Sequence, residues 1–277
     1  MSLQDYLTRI GLRGAVRPDL ATLNAVHRAH VETIPYEDLD VQFGAPVSRA
    51  ADAAFDKIVA RRRGGWCYEM NGLLGWALEE IGYKVERLAG GVERASRGDS
   101  AVGNHLVLIV TLDRPWLVDA GFGDGLIEPV LLKEGAFANG VMTCRLAQIE
   151  DGWWRYYNDP SGSAPTFDFH RDVTDEALLE NGCAMLQTHP ESPFVQNAVV
   201  QRWEGGEHLS MRGRVFQRLA ADGKHQETVN DADEYVRVLK DRFKLDLPEA
   251  AALWPKISAR HEAVFGARAE AAEERAD

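Results

Sequence analysis

The sequence contains little cysteine, fewer positive than negative charges and no long apolar run. Of 277 residues, three are cysteine (Cys67, Cys144 and Cys183), and 31 are Lys or Arg against 43 Asp or Glu. Three widely separated cysteines fit neither a disulfide framework nor a paired zinc site, and none has further ligands at zinc-like spacing. We therefore expect no metal and at least one free thiol.

The charge balance and the apolar pattern exclude further classes of protein. A formal net charge of -12 and a pI near 5.2 predict a surface that repels nucleic-acid phosphates and anionic membranes. No segment has the roughly eighteen uninterrupted apolar residues of a membrane helix, and the first residues lack the pattern of a signal peptide. We expect a cytoplasmic protein with no nucleic-acid or membrane partner, as a monomer or a homodimer.

The spacing of apolar residues predicts an α+β fold. The first third reads as helical, and a helix is expected from about Cys67 to Ile81 with Gly82 as its C-terminal cap. From Lys84 short apolar runs alternate with turn residues, which predicts antiparallel strands at 85–92, 105–112, 116–122, 141–149 and 153–157. The last third is mixed, with a hairpin in 208–229 folded at 222–223, helices at 231–243 and 250–265, and a frayed or disordered tail after Gly266.

Cys67 lies in the segment that is most informative about a possible catalytic site. It follows Arg63, Gly64 and Gly65 and begins the predicted helix. A helix N-terminus and nearby cations lower a thiol pKa from about 8.5 to roughly 3.5–7.5, and the thiolate is the nucleophilic form. The two glycines permit close backbone approach and can present amide hydrogens to an oxyanion. Because a cysteine among aromatic residues is more often a small core residue, Cys67 needs a partner before it is read as a nucleophile.

His105 and Asp119 supply that partner. They lie at the start of one predicted strand and in the next, and a three-residue loop at 112–114 places Asp119 opposite Val107. Asp119 is then a diagonal neighbour of His105 on the same face of the hairpin, within side-chain reach. The carboxylate can orient the imidazole, and the imidazole can activate a thiol. The other histidines, His208 among them, have weaker claims and are expected to be structural. The arginine run at 61–63 can simply be a solvated helix end, as most charge runs are.

These residues resemble the arylamine N-acetyltransferase family. Its Arg-Gly-Gly-x-Cys segment matches 63–67, followed by Glu69 and Asn71, and further matches lie at 34–39, 104–106, 118–123 and 192–197. They occur in the expected order over most of the chain. The resemblance implies a helical bundle at 1–83, an antiparallel β-barrel at 84–190 and an α/β lid with a C-terminal helix at 191–277. It also implies a cysteine protease-like Cys-His-Asp triad between the first two regions.

The resemblance further implies an activity and its ligands. Cys67 would take an acetyl group from acetyl-coenzyme A and pass it to an aromatic amine or hydrazine in a two-step cycle, with His105 and Asp119 as the other triad members. By the same resemblance, the acceptor pocket includes Tyr36, Phe122 and Phe194. The donor-side loop implies coenzyme A contacts from Arg94, Arg97, Gly98 and Gly103. Family members often have phenylalanine and asparagine where this chain has Tyr36 and Asp38.

Two other readings stay open at this point. The same triad serves amide synthases and thiol-dependent hydrolases, so the acceptor can differ from an arylamine. A binding protein on a degenerate acyltransferase fold is the non-enzymatic alternative, and an inert, buried Cys67 would favour it.

Overall fold

Helices dominate the beginning of the chain. The computed structural model describes residues 1–273, with side chains as far as Val264. The predicted helix from Cys67 to Ile81 is confirmed, and Gly82 ends it in the left-handed conformation with φ 106°. A π-helical turn, Asp56–Ala60, precedes the loop that leads to Cys67. The first five α-helices are α1 (Leu3–Arg9), α2 (Leu20–Thr33), α3 (Leu39–Phe43), α4 (Ala51–Phe55) and α5 (Cys67–Ile81).

The middle of the chain forms an eight-stranded antiparallel sheet in the order β5-β4-β3-β2-β9-β8-β7-β6. Within residues 1–273 its edge strands β5 and β6 pair with one neighbour each and not with each other, so the expected β-barrel is an open half-barrel. Its strands are β2 (Lys84–Val92), β3 (His105–Thr111), β4 (Pro115–Val118), β5 (Val130–Leu131), β6 (Gly135–Asn139), β7 (Met142–Gln148), β8 (Trp154–Tyr157) and β9 (Thr166–Phe169).

The β3–β4 hairpin has the predicted register. Thr111 pairs with Pro115 and Leu108 with Val118, so the loop has three residues and Asp119 follows at the position opposite Val107. The strand expected at 116–122 nevertheless ends at Val118. The reason is local: the Asp119 carboxylate accepts the backbone N–H of Gly121 at 2.8 Å, which turns the chain away from the sheet.

The last third builds a second sheet with five strands, in the order β1-β10-β11-β12-β13. A hairpin is present close to the expected fold at 222–223, since Ala220 pairs with Gly223 across a turn at 221–222. The segment 208–229 nevertheless holds three strands with a second turn at 213–214, and not the single hairpin that we expect from its sequence. The edge strand β1 comes from the N-terminal region, and its Tyr36 pairs with Gln201. The strands are β1 (Tyr36–Glu37), β10 (Val199–Glu204), β11 (Glu207–Arg212), β12 (Val215–Ala220) and β13 (Gly223–Thr228).

Five further α-helices lie between residues 94 and 273. The predicted helix at 231–243 is confirmed: Asp231 caps it by accepting the N–H of Glu234 at 2.8 Å. The C-terminal helix continues to Glu273, past the Gly266 at which we expected fraying, and residues 274–277 lie outside the described residues. These helices are α6 (Arg94–Arg97), α7 (Glu176–Thr188), α8 (Pro193–Gln196), α9 (Ala232–Phe243) and α10 (Trp254–Glu273).

The hydrophobic core has two parts. One cluster joins buried residues of α1, α2 and α5 to those of the eight-stranded sheet. The other packs the five-stranded sheet against α9 and α10. The chain is therefore α+β as predicted, and the division at 83/84 and 190/191 stays a prediction, since β1 crosses from the first region into the sheet of the third.

Candidate active site

Cys67 is the first residue of α5 and is 3% exposed. The loop before it is held against the chain at β1: Glu37 N–H donates to the Gly65 carbonyl at 2.9 Å, and Gly65 N–H donates to the Pro35 carbonyl at 3.3 Å. A Cβ built at Gly64 would lie 2.1 Å from the Pro35 oxygen, so only glycine fits. The expected close approach is confirmed. Because the Gly65 amide already donates to the Pro35 carbonyl, an oxyanion would need donors other than the Gly65 amide.

Arg63 is part of a buried network of charges beneath this loop. Its Nη2 lies 2.8 Å from Glu37 and 2.9 Å from Asp40, while Lys57 Nζ lies 2.8 Å from Asp40 and 2.9 Å from Glu69. Burial raises the pKa of Glu69 to about 7 against the opposing effect of Lys57. Arg63 is thus neither a solvated helix end nor an unpaired cation free to stabilise the thiolate. It anchors the start of α5.

His105 and Asp119 lie together at the end of the β3–β4 hairpin. His105 Nε2 is 2.6 Å from Asp119 Oδ2, and the two residues are 1% and 0% exposed. The contact uses Nε2, so Nδ1 is the ring nitrogen left to exchange a proton with a thiol or a substrate. The geometry is that of an imidazole held in one tautomer by a carboxylate.

Asn71 fixes Asp119 to the helix that carries Cys67. Its Nδ2 donates to Asp119 Oδ1 at 2.8 Å and to the Leu106 carbonyl at 2.6 Å, and its Oδ1 accepts the Ala120 N–H at 2.8 Å. Asn71 follows Cys67 by one helical turn, so the two lie on one face of α5. In the sequence Asn71 stands out only as a position matching the family segment, although its spacing from Cys67 could have indicated a positioning role.

The environment of Cys67 opposes a lone thiolate. Burial raises the pKa of the Cys67 thiol well above its ordinary value, and the charges of Cys183 and Asp119 raise it further, while the Tyr68 backbone acts in the opposite direction. This direction is opposite to the one expected from the helix N-terminus alone. A positive charge on His105 is the compensation that the site itself can supply.

The thiol and the imidazole line one cleft of about 800 Å³. Tyr36, Phe122 and Phe194, the three aromatic residues expected in the acceptor pocket, line it too. The Phe122 ring lies 5.7 Å from the His105 ring in an edge-to-face arrangement. Aromatic walls beside the imidazole suit a flat, apolar acceptor.

Of the four residues expected to contact coenzyme A, Arg97 lines this cleft. Arg94 instead pairs with Asp99 at 2.6 Å and stacks on Trp153 at 3.9 Å. Gly98 has a positive φ of 69° beside open space. Gly103 packs against α7, where an added Cβ would lie 2.3 Å from the Leu178 oxygen. Sequence reasoning missed the basic residues that line the cleft from the C-terminal region, Arg212, Lys224, Lys256 and Arg260.

Two further features of the described residues bear on function. In residues 1–273, no group of three or more His, Cys, Asp or Glu side chains is arranged to hold a metal ion. The helices over the same range include none with the length and apolar character needed to cross a bilayer.

A thiol at a helix N-terminus, in one cleft with a carboxylate-bound imidazole, is the arrangement that cysteine-dependent acyl-transfer enzymes use. Comparison with known proteins narrows this class. The N-acetyltransferase family profile matches residues 19–252. An arylamine N-acetyltransferase of Mycolicibacterium smegmatis is 36% identical over 269 residues, which cover 91% of this chain and 94% of the relative.

Other relatives agree. The arylamine N-acetyltransferase liver isozyme of Gallus gallus is 35% identical, over 89% of this chain and 96% of its own. The structure of Mycobacterium marinum arylamine N-acetyltransferase in complex with CoA superposes with a TM-score of 0.82 at 31% identity, covering 94% of this chain and 98% of that one. The chain belongs to the arylamine N-acetyltransferase family, and the predicted family is confirmed.

Proposed function

We propose that this enzyme acetylates the nitrogen of arylamines and arylhydrazines with acetyl-coenzyme A as donor, through a thioacetyl intermediate on Cys67. The observation that carries the proposal is the single cleft lined by Cys67, His105 and the aromatic side chains, with Asp119 bound to the imidazole at 2.6 Å. Family membership and the CoA complex of the M. marinum relative support the choice of donor.

In the first half-reaction, the Cys67 thiolate attacks the thioester carbonyl carbon of acetyl-coenzyme A. A carbon–sulfur bond forms to Cys67, and the bond to the coenzyme A sulfur breaks as the tetrahedral intermediate collapses. The imidazolium of His105 gives a proton to the departing thiolate. Asp119 stabilises the imidazolium before that transfer and keeps Nδ1 directed at the reacting atoms.

In the second half-reaction, the acceptor nitrogen attacks the thioacetyl carbon and the Cys67 sulfur leaves. His105, now neutral, takes the proton that the nitrogen loses and returns to the imidazolium that pairs with the thiolate. Aromatic amines and hydrazines suit this step because they are largely unprotonated near neutral pH. A lysine-like amine, with a pKa of about 10.4, would first have to lose a proton.

The basic end of the cleft suits the donor. Lys224, Lys256 and Arg260 line the cleft together with Cys67, and coenzyme A is the substrate that carries phosphates. We propose that these side chains receive the phosphates while the acetyl thioester reaches Cys67. The resemblance-based assignment of Arg94, Gly98 and Gly103 has no comparable support, since Arg94 is paired with Asp99 and Gly103 packs on α7.

Mass spectrometry of the intact protein tests the proposal directly. After exposure to acetyl-coenzyme A without acceptor, we expect an adduct of one acetyl group located at Cys67, which an arylamine then removes as its N-acetyl product. Propionyl- and malonyl-coenzyme A in parallel rank the donors. An adduct released to water as fast as to the amine would make the protein a hydrolase, and the absence of any adduct would contradict the covalent mechanism.

Asp119→Asn is expected to reduce kcat/KM by about 10³–10⁴-fold, far more than Asp113→Asn. Oδ1 of Asp119 already accepts from Asn71 and from the Gly121 N–H. The NH₂ of an asparagine would therefore face His105 Nε2 and force the proton onto Nδ1, where it blocks the base. Asp113 is an exposed loop residue and serves as the matched control. Steady-state acetylation of an arylamine measures both, and equal, mild losses would refute the assigned role of Asp119.

A further inference from the structure

Two strands of the C-terminal sheet bring residues with unpaired, buried polar atoms to the wall of the cleft. Gln201 on β10 is 5% exposed and His208 on β11 is 3% exposed, and both line the cleft that contains Cys67. Oε1 of Gln201 and Nε2 of His208 are buried without a hydrogen-bond partner of acceptable geometry. Buried polar atoms are nearly always paired, because leaving them unpaired destabilises the folded protein. These two atoms therefore point to a ligand that supplies the missing hydrogen bonds.

Both side chains meet the backbone at Gly123. A Cβ built there would lie 2.6 Å from Gln201 Nε2. Burial lowers the pKa of His208 to about 3, opposed by the Gly123 backbone beside its ring, so the imidazole is neutral in the physiological range. Gly123 directly follows Phe122, whose ring contacts His105. The two residues that carry the unpaired atoms thus line the cleft near Phe122, which contacts the reacting imidazole.

The pairing of β1 with β10 sets how far Gln201 lies from the thiol. Tyr36 and Gln201 are cross-strand partners, so their side chains share a face, and both line the cleft. On its other side Tyr36 forms a β-bridge with Gly65, two residues before Cys67. Neighbouring strands are about 4.8 Å apart. Gln201 therefore lies about one strand spacing from Tyr36. This spacing is comparable to the width of an aromatic ring, so a ring whose amine is at Cys67 could place its far substituent near Gln201.

Asp124 adds a carboxylate to the same wall. It is 1% exposed, lines the cleft and follows Gly123. Its oxygens accept from Asn158 Nδ2 at 3.2 Å and from the Ser163 N–H. Burial raises the pKa of Asp124 to about 6, so the carboxyl is ionised at mildly alkaline pH. A negative charge at this position attracts hydrogen-bond donors and repels anionic groups.

We propose that Gln201, His208 and Asp124 form a polar acceptor subsite, which binds a hydroxyl or amino substituent on the ring of the aromatic amine and rejects a carboxylate. The inference rests on the proposed function and names the substrate class within it. A hydroxyl both donates and accepts a hydrogen bond, so it can pair with the amide of Gln201 and with either tautomer of His208. A carboxylate only accepts, and it would face the Asp124 charge.

Two acceptors of nearly equal size, 4-aminophenol and 4-methylaniline, test the subsite. They differ only in that the first has a hydroxyl where the second has a methyl group. We expect kcat/KM at pH 8 to favour 4-aminophenol, and Gln201→Met and His208→Phe each to reduce that ratio about three- to tenfold, the value of one hydrogen bond. His208→Gln keeps a hydrogen-bonding amide and should retain most of the preference. Gln148→Met, at an exposed position of β7, is the control and should change nothing.

Asp124→Asn tests the charge separately. It removes the negative charge and keeps one oxygen that can accept from Asn158 or from Ser163, while the other donor then faces the new NH₂, so the thermal unfolding midpoint is measured beside the kinetics. We expect it to raise kcat/KM for 4-aminobenzoate relative to 4-methylaniline about tenfold, since a buried like charge is removed. An unchanged 4-aminobenzoate ratio would show that the carboxyl does not face the acceptor ring.

The acetyl-coenzyme A half-reaction separates this inference from a donor role. Coenzyme A release in a single turnover without acceptor should be the same for wild type, Gln201→Met and His208→Phe. Slower coenzyme A release, with an unchanged ratio of kcat/KM for 4-aminophenol to that for 4-methylaniline, would assign the residues to donor binding and overturn the inference. An unchanged ratio in both variants would overturn the inference as well. A wild-type protein that takes up acetyl groups but acetylates neither 4-aminophenol nor 4-methylaniline would refute the proposed acceptor class itself.

Discussion

A Cys67→Ser variant is expected to lose acetyl transfer by about 10⁴-fold or more while keeping its fold. Serine ionises far less readily than cysteine, and the burial that raises the pKa of the thiol would penalise an alkoxide even more strongly. The substitution removes little volume from a site that is 3% exposed, so packing around α5 should survive. The measurement combines single-turnover coenzyme A release, the mass of the intact protein and the thermal unfolding midpoint.

Cys183→Ser is the matched control for this variant. Cys183 is also a buried free thiol, and burial raises its pKa to about 12. It lies on α7, however, and is not among the residues that line the cleft. It should retain near-wild-type turnover and the acetyl adduct. Near-wild-type acetyl transfer by Cys67→Ser would refute the covalent mechanism. Loss of activity in both variants at unchanged stability would show that the Cys183 position on α7 also matters for activity, and Cys67→Ser alone would then not identify the nucleophile.

The features that local sequence patterns predict are those that local physics determines. The α5 helix follows from apolar spacing and from Gly82, which tolerates the positive φ at its end. The β3–β4 register follows from a three-residue loop, since side-chain alternation then fixes which residues share a face. That register is sufficient to predict that His105 and Asp119 lie side by side.

The features that the sequence did not predict depend on contacts between distant segments. Arg63 reads as part of a basic run, and its burial depends on Glu37 and Asp40 arriving from an earlier strand and helix. The polar wall at Gln201 exists because β1 crosses from the N-terminal region to pair with β10. No local pattern encodes that pairing. The sequence likewise predicts a structural role for His208, although this residue lines the cleft.

For the pKa of Cys67, the position at a helix N-terminus predicts a decrease and burial predicts an increase. The helix N-terminus favours the thiolate, while desolvation and the Asp119 charge disfavour it. We expect a proton on His105 to decide between them, since an imidazolium in the same cleft would offset both the lost solvation and the carboxylate. In the proposed mechanism the two charges stabilise each other, so a midpoint of inactivation against pH is assigned to the pair and not to the thiol alone.

Iodoacetamide inactivation measured against pH tests this pair. For the wild type we expect inactivation to stay fast well below the pKa of about 8.5 of a free thiol, and to slow only as the pair takes up a proton in acid. His105→Ala removes the positive charge and leaves burial and Asp119 unopposed. Its midpoint should therefore move upward, to the free-thiol value or beyond it, so that at pH 7 the variant reacts at least about tenfold more slowly, as one unit of pKa requires.

His189→Ala controls for the loss of an imidazole elsewhere, because His189 is exposed at the end of α7, and its profile should match the wild type. Each protein is first shown by circular dichroism to be folded over the pH range used. A wild-type rate that rises only near pH 8 to 9, where a free thiol ionises, and is unaffected by His105→Ala would mean that no ion pair exists in the free enzyme. Burial would then govern the resting thiol, and Cys67 would lose its proton only after the donor has entered the cleft.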